Sequence, residues 1–249
     1  MAIWCAGFLP ATEAREVRVA TYNILDGTGD SGSVEYLALQ AILARMDADI
    51  VCFQELRATS FAAWSNLASE LGYPYAAISG GGPFSGSLYI GYYSRFPIRS
   101  TFNVDSPPGA VELTRFPFRA VIDVPDAQRP LVLWTMHHKS SATSIDKFRR
   151  AIEAYRIAQD VEAYLAENPD HVEYVLTGDM NDDIRDSQTP AQYASQPAGA
   201  PGGFVLGITG AVMLLLGSIG LKMLPFRWAG IALVGAGVIV MGIDLLVGG

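Results

Sequence analysis

Four short apolar runs, each closing on a polar side chain, limit what this chain can fold into. They are Val17–Asn23, Asp49–Glu55, Leu131–His137 and Tyr174–Asp179. Each is too short and too rich in β-branched and aromatic residues for a surface helix and reads as a buried strand. They end in Asn23, Gln54–Glu55, His137–His138–Lys139 and Gly178–Asp179–Met180–Asn181. A single Gly-Asp turn is a common surface feature. Four such endings together point to α/β sheets, whose ligand sites gather beyond the carboxyl ends of the strands. The Asp-x-Asn pair after Gly178, where glycine would let the backbone turn sharply, suits a hard cation such as Mg²⁺, which takes one or two carboxylates beside water and substrate phosphate.

Between the runs the chain is helical and looped. A helix is expected over 34–46, and a second carries Ile145, Phe148, Ile152, Tyr155 and Leu165 as its packed face, with Arg149 and Arg150 as solvated charges. Gly80–Pro83 has neither a following lysine nor a helix start, so it reads as a plain loop, not a phosphate cradle. Ser94–Arg95 reads as a structural turn, and Cys52 belongs to a buried strand.

In order along the chain, Val19–Ile24, Gln54–Glu55, Tyr93–Ile98, Met136–Ser140 and Gly178–Asn181 resemble the endonuclease/exonuclease/phosphatase superfamily over roughly residues 17–185. The resemblance implies a four-layer α/β/β/α sandwich that cleaves phosphate esters with a divalent metal, Mg²⁺ first and Mn²⁺ as the alternative. Carried over by position, Glu55 would be the principal metal ligand with Asn23 beside it. Asp179 would orient or activate the attacking water, and Asn181 would hold that water or the phosphate. His137 would donate to the phosphate oxygen as charge builds there.

The resemblance stops early. The superfamily pattern continues past the Gly-Asp-x-Asn turn with further strands and a late Ser-Asp-His segment, which nothing after Asn181 matches, so the expected sandwich is partial. Neither remaining histidine is a substitute. His138 should face away from His137 by strand alternation, and His171 begins the strand that ends at Asp179, about 25 Å from the site at 3.3 Å per residue.

The composition changes near residue 200. After the Pro/Gly-rich linker 191–202, residues 203–221 form an uncharged stretch of 19 residues, and 229–249 carry one charge, Asp244. Each is long enough to cross a hydrocarbon core of about 30 Å as a helix. A two-helix transmembrane hairpin with its turn over 222–228 is therefore expected, and it resembles the membrane region of the NfeD family, notably at 224–230 (LPFRWAG). Lys222 and Arg227 place its turn in the cytoplasm and the preceding domain outside. Apolar Ala2–Leu9 reads equally as a signal-peptide remnant, within a leader over 1–16, or as a first strand. The formal net charge of −8 disfavours a nucleic-acid nuclease and favours a small phosphodiester, an inositol phosphate or a lipid headgroup. Three readings follow. The chain is a membrane-tethered, metal-dependent phosphoesterase, a degenerate module that binds a phosphorylated ligand or partner without turnover, or a fusion of two unrelated gene fragments.

Overall fold

The computed structural model describes residues 14–84, 88–171, 173–182 and 238–246. The strands are β1 (Ala14–Asn23), β2 (Ile50–Leu56), β3 (Tyr75–Ile78), β4 (Tyr89–Ser94), β5 (Ile98–Asn103), β6 (Phe118–Ile122), β7 (Leu131–His137), β8 (Tyr174–Asp179) and β9 (Val238–Leu246). Among them lie α1 (Val34–Met46), α2 (Phe61–Glu70) and α3 (Ser144–Glu167). Two sheets form, in the orders β3-β4-β2-β1-β9 and β5-β6-β7-β8. Each contains one parallel pair, β1 with β2 inside the first sheet and β7 with β8 at one end of the second, whose crossover carries a helix, α1 in the first and α3 in the second.

Side-chain alternation sorts the core into three slabs. Val17, Val19, Ile50, Cys52, Ile90 and Tyr92 of the first sheet meet Phe118, Ile122, Leu131, Leu133 and Val175 of the second. The opposite face of the first sheet, with Ala20, Val51, Phe53 and Tyr93, is covered by Tyr36, Leu39 and Leu43 of α1 and Trp64 and Leu67 of α2. Val132, Trp134, Met136 and Leu176 on the outer face of the second sheet are covered by Ile157 and Val161 of α3. The layers are α/β/β/α, as the family resemblance implied. Helix α1 has the expected bounds, and its N-terminus is capped by Ser33, whose hydroxyl accepts from the Tyr36 N–H. Ser94 closes a tight turn with both backbone groups of Phe96. Cys52 is fully buried, and burial pushes its thiol pKa up.

Two expectations fail here. Val238–Leu246 falls within the stretch expected as a second transmembrane helix, yet it is a strand, paired antiparallel with β1 from Ala14↔Leu246 to Tyr22↔Val238. Val238, Ile239, Val240 and Ile243 are β-branched and favour extended backbone, and β1 otherwise presents an open edge to pair with. Residues 14–16, within the leader expected over 1–16, are the first residues of β1. Among the described residues no helix is long and apolar enough to cross a membrane. The rest of the leader with Cys5, the linker 191–202, the stretch 203–221 and the NfeD-like turn 222–228 lie outside the described residues.

The packed face of α3 is also rotated from expectation. Ile145 and Phe148 are exposed, and the buried stripe is Arg150, Glu153, Ile157 and Val161. Arg150 is therefore not a solvated charge. Its Nη1 donates to the carbonyls of Lys139 (3.1 Å) and Ser141 (2.6 Å), and Arg149 keeps a surface position against the Phe84 ring.

Candidate active site

Alternation delivers one side chain from each central strand to the gap between the sheets. Below the rim, the Gln54 amide donates to the hydroxyls of Thr21 (3.0 Å) and Thr135 (3.1 Å), so a buried polar layer ties the first sheet to the second. One step further along the strands come Asn23, His137 and Asp179, the last two directly paired in the register of β7 and β8.

Glu55 reaches the same point only because β2 breaks its rhythm. Following Gln54, its side chain should face the helices. The pairing of β2 with β4 instead slips between Phe53 and Leu56, and Glu55 takes a left-handed backbone, φ 66°. This bulge turns the carboxylate into the gap, at the strain expected of a non-glycine residue in that region. Asn23 then donates from Nδ2 to Glu55 Oε1 and to Asp179 Oδ2, both at 2.9 Å. A backbone N–H, that of Asp26, also donates to Glu55 (3.2 Å).

Gly178 brings β8 close enough for this. It lies inside β8, so it is not the turn residue expected from the sequence. Its φ is +135°, and a Cβ there would sit 2.0 Å from the Met136 carbonyl oxygen and 2.7 Å from the Met136 nitrogen. Only glycine fits. The turn comes at Asn181 (φ 49°), whose backbone N–H donates to Asp179 Oδ1 and whose Nδ2 donates to the His138 carbonyl, both at 2.9 Å.

His137 faces the two carboxylates, its Nε2 3.7 Å from Glu55 Oε1 and 3.9 Å from Asp179 Oδ2. Burial, and then the nearby Arg115 charge, push its pKa down to about 3, so the imidazole is neutral here. It can offer a hydrogen bond without a full charge. His138 faces the other way, buried beside Glu153 and Arg150, and burial lowers its pKa as well. His171 stands at the far end of β8 against the Tyr164 hydroxyl (2.6 Å). Neither joins the site, as alternation and strand length required.

Two groups escaped the sequence. Arg115, between β5 and β6, donates to the carbonyls of His137 (3.3 Å) and His138 (3.1 Å); burial lowers its pKa, against the opposing pull of the Glu153, Glu55 and Asp179 carboxylates. Glu153, 2% exposed, accepts from the backbone N–H groups of Thr114 and Lys139, both at 2.8 Å, which fixes the loops on either side of Arg115 and His138. A helix stripe that places Arg150 and Glu153 in phase with Ile157 and Val161 was the available signal for the second. Nothing in the sequence marks Arg115.

Among the described residues no three His, Cys, Asp or Glu side chains enclose a metal. The Glu55 and Asp179 carboxylates face an open gap, with the Asn23 amide turning Nδ2 to both and keeping Oδ1 on the Leu25 N–H. That suits a hard cation that keeps part of its water shell, and not a closed zinc cage.

A sequence profile described as the endonuclease/exonuclease/phosphatase family matches residues 20–210. No curated protein sequence matches the chain. The fold is similar to truncated TDP2 of Caenorhabditis elegans, with TM-score 0.53 and 18% identity over 70% of this chain and 66% of that one. It is also similar to an endonuclease/exonuclease/phosphatase from Beutenbergia cavernae, with TM-score 0.50 and 21% identity over 73% and 51%. A third similar structure is ANGEL2, described as a 2',3'-cyclic phosphatase, with TM-score 0.53 and 17% identity over 70% and 56%. The chain spans between about half and two thirds of the length of these structures.

Proposed function

We propose that this chain hydrolyses phosphate esters with Asn23, Glu55, His137, Asp179 and Asn181 as its working groups; the premise is that it belongs to the endonuclease/exonuclease/phosphatase family. The observation that carries the proposal is the convergence on one point of two carboxylates and a neutral imidazole from β1, β2, β7 and β8, bridged by a single asparagine amide. The similarity to ANGEL2, a phosphatase of a cyclic phosphate, agrees with ester chemistry at phosphorus.

Each group has a task that its surroundings permit. Asp179, braced by the Asn181 N–H, is placed to accept a proton from an attacking water. Asn181 keeps the 179–182 turn against the His138 carbonyl and holds water or phosphate beside Asp179. His137 donates a hydrogen bond to a phosphoryl oxygen as its charge grows, and Arg115 holds the His137 carbonyl while adding positive potential behind it. Glu55 and Asn23 would hold a divalent cation, Mg²⁺ first and Mn²⁺ second, which supplies charge neutralisation at the phosphoryl oxygens.

Membrane association belongs to the proposal through the uncharged residues 203–221. The two-span hairpin does not, because Val238–Leu246, within its second span, pairs with β1 as β9. An extracytoplasmic location is then proposed from apolar Ala2–Leu9 alone. The same pairing speaks against two unrelated fragments, since the C-terminal segment completes the N-terminal sheet. A module that binds a phosphorylated ligand without turnover is the second reading. It is favoured by the single, neutral histidine at the site, because loss of a general acid or base typically costs ~10²–10⁴-fold.

The test is hydrolysis of bis(4-nitrophenyl) phosphate and 4-nitrophenyl phosphate by the full chain in mild detergent, with Mg²⁺ or with chelator, beside Asp179→Ala. Turnover that needs the cation and disappears in the variant supports the hydrolase. A folded wild type that binds Mg²⁺ and phosphate without turnover supports the binding module.

A further inference from the structure

Large apolar side chains stand exposed around the mouth of the site. Leu25, two residues beyond Asn23, is 80% exposed on a left-handed backbone (φ 49°), and its N–H donates to Asn23 Oδ1 at 3.0 Å. Across the mouth, the first turns of α3 present Ile145 and Phe148, 76% and 68% exposed, while Arg150 beside them points inward to Lys139 and Ser141. A second loop, between β3 and β4, brings the half-exposed Phe84 ring to 5.9 Å from the Arg149 guanidinium carbon. Two loops and the first turns of α3 thus turn apolar groups outward at the end of the sandwich where the carboxylates lie. Clustered exposed apolar groups of this kind mark an interaction surface.

The charges around the rim select the occupant. A polyanion is opposed by the net charge of −8, and three cations beside the rim are engaged with groups of the chain: Lys139 lies 3.5 Å from Asp146, Arg57 pairs with Asp26, and Arg149 lies over the Phe84 ring. A zwitterionic phospholipid surface fits. Its acyl boundary would take Leu25, Phe84, Ile145 and Phe148, and its phosphodiester would lie at the depth of the site. The uncharged stretch 203–221 favours the same phase. We propose that this rim docks the domain on zwitterionic phospholipid and that a phospholipid headgroup ester is the substrate it presents. The proposal rests on the phosphoesterase reading for its substrate and on the rim alone for its docking.

The experiment is flotation of the full chain with vesicles of dioleoylphosphatidylcholine, for wild type, for Ile145→Ser/Phe148→Ser and for Asp179→Asn. The double variant should need on the order of tenfold more lipid for half-maximal flotation. It should also hydrolyse vesicle lipid on the order of tenfold more slowly, with bis(4-nitrophenyl) phosphate turnover unchanged. Asp179→Asn should float like wild type, so docking is decided even where no ester is cleaved. Absence of soluble-diester turnover in wild type defeats the hydrolase reading and leaves flotation to judge the rim. Unchanged flotation of the double variant overturns docking. So does a double variant that floats normally but loses binding to a short single-stranded DNA.

Discussion

Replacing Gly178 with alanine drives a methyl group into the backbone that carries His137. The new Cβ would lie 2.0 Å from the Met136 oxygen, 2.7 Å from its nitrogen and 2.9 Å from its carbonyl carbon, and none of these atoms can rotate away as a side chain could. The φ of +135° adds a backbone conformation that alanine rarely adopts. Strain of this kind costs about 1–3 kcal/mol and overpacking about 1–3 kcal/mol, so about 2–6 kcal/mol is expected in total. A domain with roughly 5–15 kcal/mol of stability loses a large share of it. The internal control is Gly72→Ala after α2, where φ is +75° but nothing lies within 4 Å, and where about 1–2 kcal/mol is expected from the backbone alone. Urea unfolding followed by tryptophan fluorescence reads both, because Trp134 of β7 is fully buried and registers against Leu176 of β8. The clash also separates His137 from Asp179, and a shift near 1 Å can cost about 10²-fold in rate. Gly178→Ala that unfolds at the same urea concentration as Gly72→Ala, with ester hydrolysis intact, would refute the close-approach argument.

Other substitutions probe the supports around the site. Glu153→Ala strips the partner from two partly buried backbone N–H groups at about 1 kcal/mol each, and Glu153→Gln, which keeps an accepting oxygen, should recover part of the loss in the same urea titration. Gln54→Leu leaves the Thr21 and Thr135 hydroxyls without their amide and should lower stability by about 1–3 kcal/mol; an unchanged midpoint would show that the polar layer contributes nothing. Ending the chain at Gly237 removes β9 and exposes the β1 edge, so lower stability and self-association are expected by sedimentation velocity. A monomer of unchanged stability would mean that β9 is dispensable.

The strands that carry Asn23, His137 and Asp179, and α1, were legible because each signal is local. An apolar run ends, a polar group follows, and strand alternation decides the rest. What escaped depended on partners distant in sequence. Glu55 enters the gap through a bulge that only its pairing with β4 reveals, since plain alternation would send it to the helices. The α3 face was misassigned because Ile145 and Phe148 look like core residues, whereas the stripe that packs contains Arg150 and Glu153, both engaged by loop backbone on either side of them. For Val238–Leu246, an apolar run alone does not separate a helix from a strand. The open edge of β1 does, and that edge exists only once the sheet has formed.

The supports of the site explain why it needs both sheets at once. Asn23 and Glu55 come from the first sheet, His137 and Asp179 from the second, so their mutual distances are set by sheet-to-sheet packing and not by any one loop. Apolar contacts between Val19, Cys52, Leu133 and Val175 press the sheets together but are non-directional and tolerate sliding. Directional bonds remove that freedom. The Tyr92 hydroxyl donates to the Phe118 (2.6 Å) and Leu133 (3.2 Å) carbonyls across the gap, and Gln54 reaches Thr135 one layer above. Placed between the apolar core and the carboxylates, these bonds fix the sliding coordinate where a small shift would separate Asp179 from Asn23. Buried polar groups there carry the energetic risk of being left unpaired, and in return they hold a site of two like charges at a fixed spacing.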